Sequence, residues 1–228
     1  MKEHFIMTDK ISIRCLYDLT HTAAAPLLDK LTYPWEALPK IGDFILKLGS
    51  TLSPEEYEQR GDNVWIAKSA RVFDSAYING PAIIGPNTEV RQCAFIRGNA
   101  LVGAGCVVGN STELKNVILF DSVQVPHYNY VGDSILGYKS HMGAGSITSN
   151  IKSDKTLVVI SADGDRMETG LKKIGAMLGD RVEVGCNSVL NPGTIIGKDS
   201  TIYPLSMVRG FIPARSIYKH AGEIANKI

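Results

Sequence analysis

The sequence predicts a mainly β solenoid of short stacked strands preceded by a mostly helical arm, and three observations predict it. Stepping by six from Ile66 gives Val72, Ile78, Ile84, Val90, Ile96, Val102, Val108 and Leu114, all aliphatic. Four residues after each of the first eight stands a small side chain: Ala70, Ala76, Ala82, Thr88, Ala94, Ala100, Cys106 and Thr112. The step returns in register at Leu178, Val184, Leu190, Ile196, Ile202 and Val208. A period of six is neither the 3.6 of a helix nor the alternation of a strand, so no single amphipathic element explains it. Units of one short strand and one turn cannot bury an apolar face alone and must stack.

Taken in order, residues 1–60 read as the arm. From about Leu19 to Leu52, "TAAAPLLDK" and "YPWEALPKIGDFILKLG" have helical spacing, with Asp or Thr at the starts and Gly49 at a stop. "SPEEYEQ", Ser53 to Gln59, reads as a capped helical turn with acidic residues near its positive end. Residues 61–210 read as the coil. The aliphatic ladder slips near Val125 and again between Val131 and Leu136, resumes at Met142, and breaks over an insert at about 149–177. There "KTLVVISADGDRMETG" predicts a hairpin about the turn former Asp163-Gly164. Glycine follows the aliphatic residue at Gly85, Gly103, Gly109, Gly132, Gly137, Gly143, Gly179, Gly185 and Gly197, which fits tight or positive-φ corners. Residues 211–228 read as a tail.

A chain of 228 residues with 44% hydrophobic composition can bury a substantial core. Its 24 basic and 23 acidic residues leave a net charge of +1, which offers no global pull toward nucleic acid or an anionic membrane. The start, "MKEHFIMTDK", has no apolar core of a signal peptide, and no uninterrupted apolar run approaches a membrane span, so a cytoplasmic location is expected. Cys15, Cys93, Cys106 and Cys186 show no C-x-x-C spacing and read as structural thiols of a reduced compartment.

Polar chemistry concentrates in "NSTELKNVILFDSVQVPHYNYVGDSILG", from Asn110 to Gly137, where Glu113, Lys115, His127 and Tyr130 fall within one short stretch. The hexapeptide pattern resembles the left-handed parallel β-helix of the hexapeptide-repeat acyltransferases. The segments "RGNALVGAGCVVGNSTELKN", "PHYNYVGDSILG" and "GAGSITSN" are more specifically similar to successive motifs of the acetyltransferase half of bifunctional N-acetylglucosamine-1-phosphate uridyltransferase, over roughly Ile66 to Val208. The long insert is more like that of the archaeal-type and clostridial relatives. Handedness comes from this resemblance, since period alone does not give it.

The resemblance implies an acetyl-CoA-dependent N-acetyltransferase acting on an amino-sugar 1-phosphate, with glucosamine 1-phosphate the expected acceptor. It implies His127 as general base, a role suited to an imidazole near neutral pH. Glu113 would orient His127 or hold a sugar hydroxyl, and Asn150 matches an Asn near the acetyl group and the amine. Arg97, Lys115 and Tyr130 match positions that bind the sugar and its phosphate, chemistry suited to paired guanidinium donors, a point charge and a phenol. His141 matches a sugar contact. For acetyl-CoA, Ala144 matches a backbone position near the thioester, where an amide N–H can hold an oxyanion. Cys186 and Lys219 match further cofactor positions.

Four positions depart from the enterobacterial pattern: His141 stands for Asn, Ile151 for Tyr, Cys186 for Ser and Lys219 for Arg. Nothing in residues 1–65 supplies the Gly-rich phosphate loop of a uridyltransferase, so that activity is not expected of this chain. A homotrimer with sites between subunits is expected, again from the resemblance. The competing reading is a non-catalytic trimeric module that keeps the sugar-phosphate pocket. A zinc-dependent hydratase on the same coil fits poorly, because His127 and His141 lie fourteen residues apart and His4, His21 and His220 lie outside the coil; no metal is expected.

Overall fold

The structure, a computed structural model, describes residues 7–162, 165–219 and 222–227. It is a left-handed parallel β-helix of three faces, with an N-terminal arm packed along one of them. The first face stacks Val64–Ala67, Ala82–Ile84, Ala100–Val102, Ala176–Leu178, Thr194–Ile196 and Phe211–Ile212. The second stacks Arg71–Val72, Glu89–Val90, Val107–Asn110, Gln124–His127, His141–Met142, Glu183–Val184, Thr201–Ile202 and Ser216–Tyr218. The third stacks Tyr77–Ile78, Phe95–Ile96, Ile147–Thr148, Val189–Leu190 and Met207–Val208. Two longer strands, Glu113–Leu119 and Tyr130–Leu136, belong to both the third and the first face.

The ladder positions Ile66, Ile84, Val90, Ile96, Val102, Val108, Leu114, Leu178, Leu190 and Ile196 are all buried. The small residues point inward with them: Thr88, Ala94, Ala100, Cys106 and Thr112 are buried, and the hydroxyls satisfy carbonyls of the neighbouring coil, Thr88 to Gly103 at 2.7 Å and Thr112 to Val125 at 2.9 Å. They are corner-fillers whose polar atoms close main-chain bonds.

The glycines play a different part from the one their spacing suggests. Gly85, Gly103, Gly109, Gly143 and Gly179 do not have positive φ. What excludes a side chain is the next coil: a Cβ on Gly85 would lie 2.5 Å from the Gly103 carbonyl carbon, and one on Gly179 would lie 2.8 Å from the Lys198 nitrogen. The left-handed corners are mostly filled by other residues, among them Asn87, Asn99, Asn116, Ser122 and Asp133.

The register explains the slips. Ile66 pairs with Ile84 and Ile84 with Val102, a step of eighteen. Val102 pairs with Leu119 and Leu119 with Leu136, a step of seventeen. The lost residue lies in each case at the corner from the third face to the first, around Asn116 and Asp133. With the corner shortened, each strand runs through it unbroken, which is why Glu113–Leu119 and Tyr130–Leu136 each serve two faces.

Leu136 pairs next with Leu178, so the insert leaves after Asn150 and returns near Lys173, where Ile151 and Lys173 form an antiparallel bridge. The expected hairpin is present as Val159–Ala162 against Asp165–Glu168; its turn at Asp163-Gly164 lies outside the described residues. The coil does not end at 210. Phe211–Ile212 and Ser216–Tyr218 add to two faces, and Ile224–Asn226 then turns back antiparallel, so most of the expected tail is sheet.

The arm consists of short turns with good local reasons. Ser12 caps Ile13–Leu16, and Glu36 accepts from Thr32 and Tyr33 at 2.9 and 2.8 Å just before Pro34 opens a 3-10 run that leads into the helix Ile41–Gly49. Trp35, Ile41 and Ile45 are buried in the same core as the coil. "SPEEYEQ" is not helical: a turn on Ser53 gives way to the strand Tyr57–Gln59, antiparallel to Val64–Ala67. Among the described residues no helix is long and apolar enough to cross a membrane.

Candidate active site

The shortened corners draw polar groups together. Asp133 is 4% exposed and accepts from Lys115 Nζ at 2.9 and 3.0 Å, from Asn116 Nδ2 at 2.9 Å and from Asn150 Nδ2 at 2.6 Å. Asn150 Nδ2 also lies 3.2 Å from the Tyr130 hydroxyl. Burial, followed by the charges of Asp133 and Glu113, pushes the Tyr130 phenol above its ordinary value, so it is a neutral hydrogen-bonding group. One coil earlier Arg97 Nη1 meets Glu113 Oε1 at 2.7 Å, and that bond raises the guanidinium further. Lys115, Tyr130 and Asn150 thus form one cluster, with the Arg97–Glu113 pair beside it. Glu113 turns to Arg97 rather than to His127.

His127 ends a strand of the second face, at the corner leading into the third. Its main chain is pinned, because its N–H donates to Asn129 Oδ1 at 3.1 Å and its carbonyl accepts from Gly145 at 3.0 Å. Asn129 is buried and donates to the Gly143 and Ser146 carbonyls at 2.9 and 3.0 Å, tying two coils together beneath the histidine. The imidazole itself is exposed and has no hydrogen-bond partner among the described residues.

The strand register puts Ala144 one coil below His127 and Cys186 one coil below Ala144. The Ala144 carbonyl takes the Asn187 N–H at 2.8 Å, and the Cys186 carbonyl takes the Leu205 N–H at 2.9 Å. Lys219 continues the same edge two coils beyond Cys186 and pairs with Glu223 at 3.2 Å. The positions expected to meet acetyl-CoA therefore line one edge with His127. Those expected to meet the sugar phosphate line the other edge of the third face.

His141 joins neither group. It starts a second-face strand and holds Glu183 at 2.8 Å. Asp133 and Asn129 are the residues that spacing did not single out. Asp133 sits where the ladder skips a residue, and Asn129 reads as an ordinary turn former until its burial is known.

Residues 78–212 match the family described as "GMPPB C-terminal domain". The chain is 33% identical over 190 residues to the bifunctional protein GlmU of Methanococcus maripaludis (strain C5 / ATCC BAA-1333), covering 82% of this chain and 46% of that protein. To the bifunctional protein GlmU of Trichormus variabilis (strain ATCC 29413 / PCC 7937) it is 35% identical over 179 residues, covering 77% and 34%. It spans less than half the length of these two curated relatives. Among solved structures it is similar to a hexapeptide transferase family protein from Anaplasma phagocytophilum, at 16% identity and a TM-score of 0.42, covering 72% of this chain and 80% of that one. With the family match extending over more than half of its 228 residues, the chain belongs to the GMPPB C-terminal domain family.

Proposed function

We propose that this chain is an acetyl-CoA-dependent N-acetyltransferase whose acceptor is an amino-sugar 1-phosphate, glucosamine 1-phosphate first among them. The observation that carries the reading is the edge on which His127, Ala144, Cys186 and Lys219 follow one another down the coil, with a separate cluster of Arg97, Lys115, Tyr130 and Asn150 at the opposite edge of the third face. The partial likeness to the GlmU proteins supports it.

In the reaction the neutral amine attacks the thioester carbonyl while His127 takes the amine proton. The C–N bond forms as the carbonyl π electrons move onto oxygen, where the Ala144 N–H, which donates to no group among the described residues, is free to hold the oxyanion. Collapse breaks the C–S bond, and the departing thiolate takes the proton from His127. No covalent enzyme intermediate is needed. His141 and Ile151, which depart from the enterobacterial pattern, bear on the choice of amino sugar.

The two groups of residues lie at opposite edges of the third face, so a homotrimer in which one copy's edge meets another's completes the site. Exposed Tyr77, Phe95 and Met207 on that face fit such a contact. One observation favours a non-catalytic sugar-phosphate module instead: Arg97 and Lys115 already face Glu113 and Asp133, and His127 has no orienting acid among the described residues.

A thiol-release assay with acetyl-CoA against glucosamine 1-phosphate, galactosamine 1-phosphate and unphosphorylated glucosamine tests the reading. Release with one sugar 1-phosphate, lost in His127→Ala, is expected. Binding of a sugar phosphate without turnover would point to the module.

A further inference from the structure

The insert builds a concave surface that the transfer reaction as drawn does not use. Between the hairpin and the last coils lies a cleft of about 760 Å³, lined by Lys152, Asp154, Arg166, Asn191 and Arg209 among others. That volume falls within the range of small-molecule sites. Its wall is fixed: Val158 and Ile160 of the insert are buried, and they seat so closely on the coil that a Cβ at Gly193 would lie 2.8 Å from Val158 Cγ1 and 3.0 Å from Ile160 Cδ1. Gly210 is crossed in the same way, with the Ser161 carbonyl 3.2 Å from a would-be Cβ.

Among the described residues that line the cleft, the charges do not cancel. Its carboxylate, Asp154, is occupied by Lys152 at 3.3 Å and by the Thr156 N–H and hydroxyl at 3.0 and 2.9 Å. Arg166 and Arg209 are exposed and have no acidic partner among the described residues. The arginines at 60, 91, 97 and 181, by contrast, each face a carboxylate. Two uncompensated guanidiniums in one cleft match a group with several anionic oxygens.

Register ties the cleft to the cluster above it. Arg97, Lys115, Gly132, Ser149, Asn191 and Arg209 occupy the same outward position on successive coils of the third face. Four strand spacings separate Lys115 from Arg209, about 19 Å. A sugar 1-phosphate does not cover that span, whereas a nucleoside diphosphate sugar or the long arm of CoA does.

We infer that the cleft under the hairpin is a second anion site that takes a phosphate group at Arg166 and Arg209. The inference rests on the acetyl-transfer reading only for the identity of the molecule that brings the phosphate.

Binding is therefore measured without turnover. Inorganic pyrophosphate is titrated calorimetrically into the full chain, into the double variant Arg166→Gln/Arg209→Gln, and into Arg14→Gln, an exposed arginine of the arm, as control. The expected result is salt-sensitive binding that weakens about tenfold or more in the double variant and is unchanged in the control. No binding to the full chain, or equal binding by the double variant, or an equal loss in the control, would overturn the site. The same titration with CoA and dephospho-CoA, and with a UDP-amino sugar and its sugar 1-phosphate, separates the sources. A preference for CoA that disappears in the double variant assigns the phosphate to the cofactor, and a preference for the nucleotide sugar that disappears assigns it to the acceptor. Pyrophosphate binding that survives in an enzyme without transferase activity leaves the site standing and removes only the transfer reading.

Discussion

Lys115 and Asp133 pair at 2.9 Å across two successive coils, with the carboxylate buried and the ammonium side chain 28% exposed. The carboxylate also receives Asn116 and Asn150, so it organises the corner as well as balancing the lysine. Removing one partner of a buried pair leaves the others unmatched. Asp133→Ala is expected to destabilise the fold by about 3 kcal/mol. The shift of a urea unfolding midpoint at constant slope measures it, and a change below about 0.5 kcal/mol would show that the corner does not depend on the carboxylate.

His127→Ala is expected to lower acetyl transfer by about 10²- to 10⁴-fold, the usual worth of a positioned general base. The imidazole is exposed and contacts nothing that holds the coil together, so the thermal midpoint and the affinity for CoA stay close to wild type. A drop in the melting temperature as large as that of Asp133→Ala would instead make the histidine structural.

Alkaline pH separates the buried phenol of the arm from the rest. Tyr17 is buried, donates to the Ile135 carbonyl at 3.4 Å and packs on Phe120; burial first, then the charge of Asp180, pushes it well above the ordinary 10.0. A group raised in the folded state keeps its full contribution below the unfolded value, and that contribution is lost as pH rises toward the folded one. Stability is therefore expected to decline above about pH 10. In Tyr17→Phe the alkaline midpoint moves up, while stability at neutral pH falls by about 1 kcal/mol for the lost hydrogen bond. Circular dichroism across a pH series reads both.

The thiols differ in the same physical way. Burial pushes the Cys106 thiol up to about 12, whereas Cys15, Cys93 and Cys186 are exposed. Alkylation at pH 8 followed by mass spectrometry is expected to modify those three and to reach Cys106 only after unfolding. Saturating CoA should protect Cys186 selectively. Equal labelling of Cys186 with and without CoA would remove it from the cofactor edge.

Much of this architecture can be read from the chain itself, because the sixfold ladder is a property of the sequence as much as of the coil. Ile66 to Leu114 run unbroken, and the three faces follow from stacking. What periodicity conceals is the meaning of its interruptions. The irregularities near Val125 and Val131–Leu136 are single residues missing at the corners of Asn116 and Asp133, the first of them upstream of where the ladder visibly falters. The glycine column likewise records clearance between neighbouring coils, which only three-dimensional spacing reveals. Within the site, Arg97, Lys115 and Tyr130 stand as one group through the resemblance, and the structure sets Asn150, expected near the acetyl group and the amine, beside Lys115 and Tyr130. Asp133, which joins them, is a lone acid in "VGDSILG", and His141 matches by sequence position but folds onto another face.

Those two missing residues have a further consequence. A coil with constant repeat has translational symmetry along its axis, and no position on a face differs in backbone geometry from the one above or below it. The seventeen-residue coils are a dislocation in that lattice. Two neighbouring units become unlike the coils that precede them, and a fold that counts by eighteen from Ile66 to Val102 acquires an address.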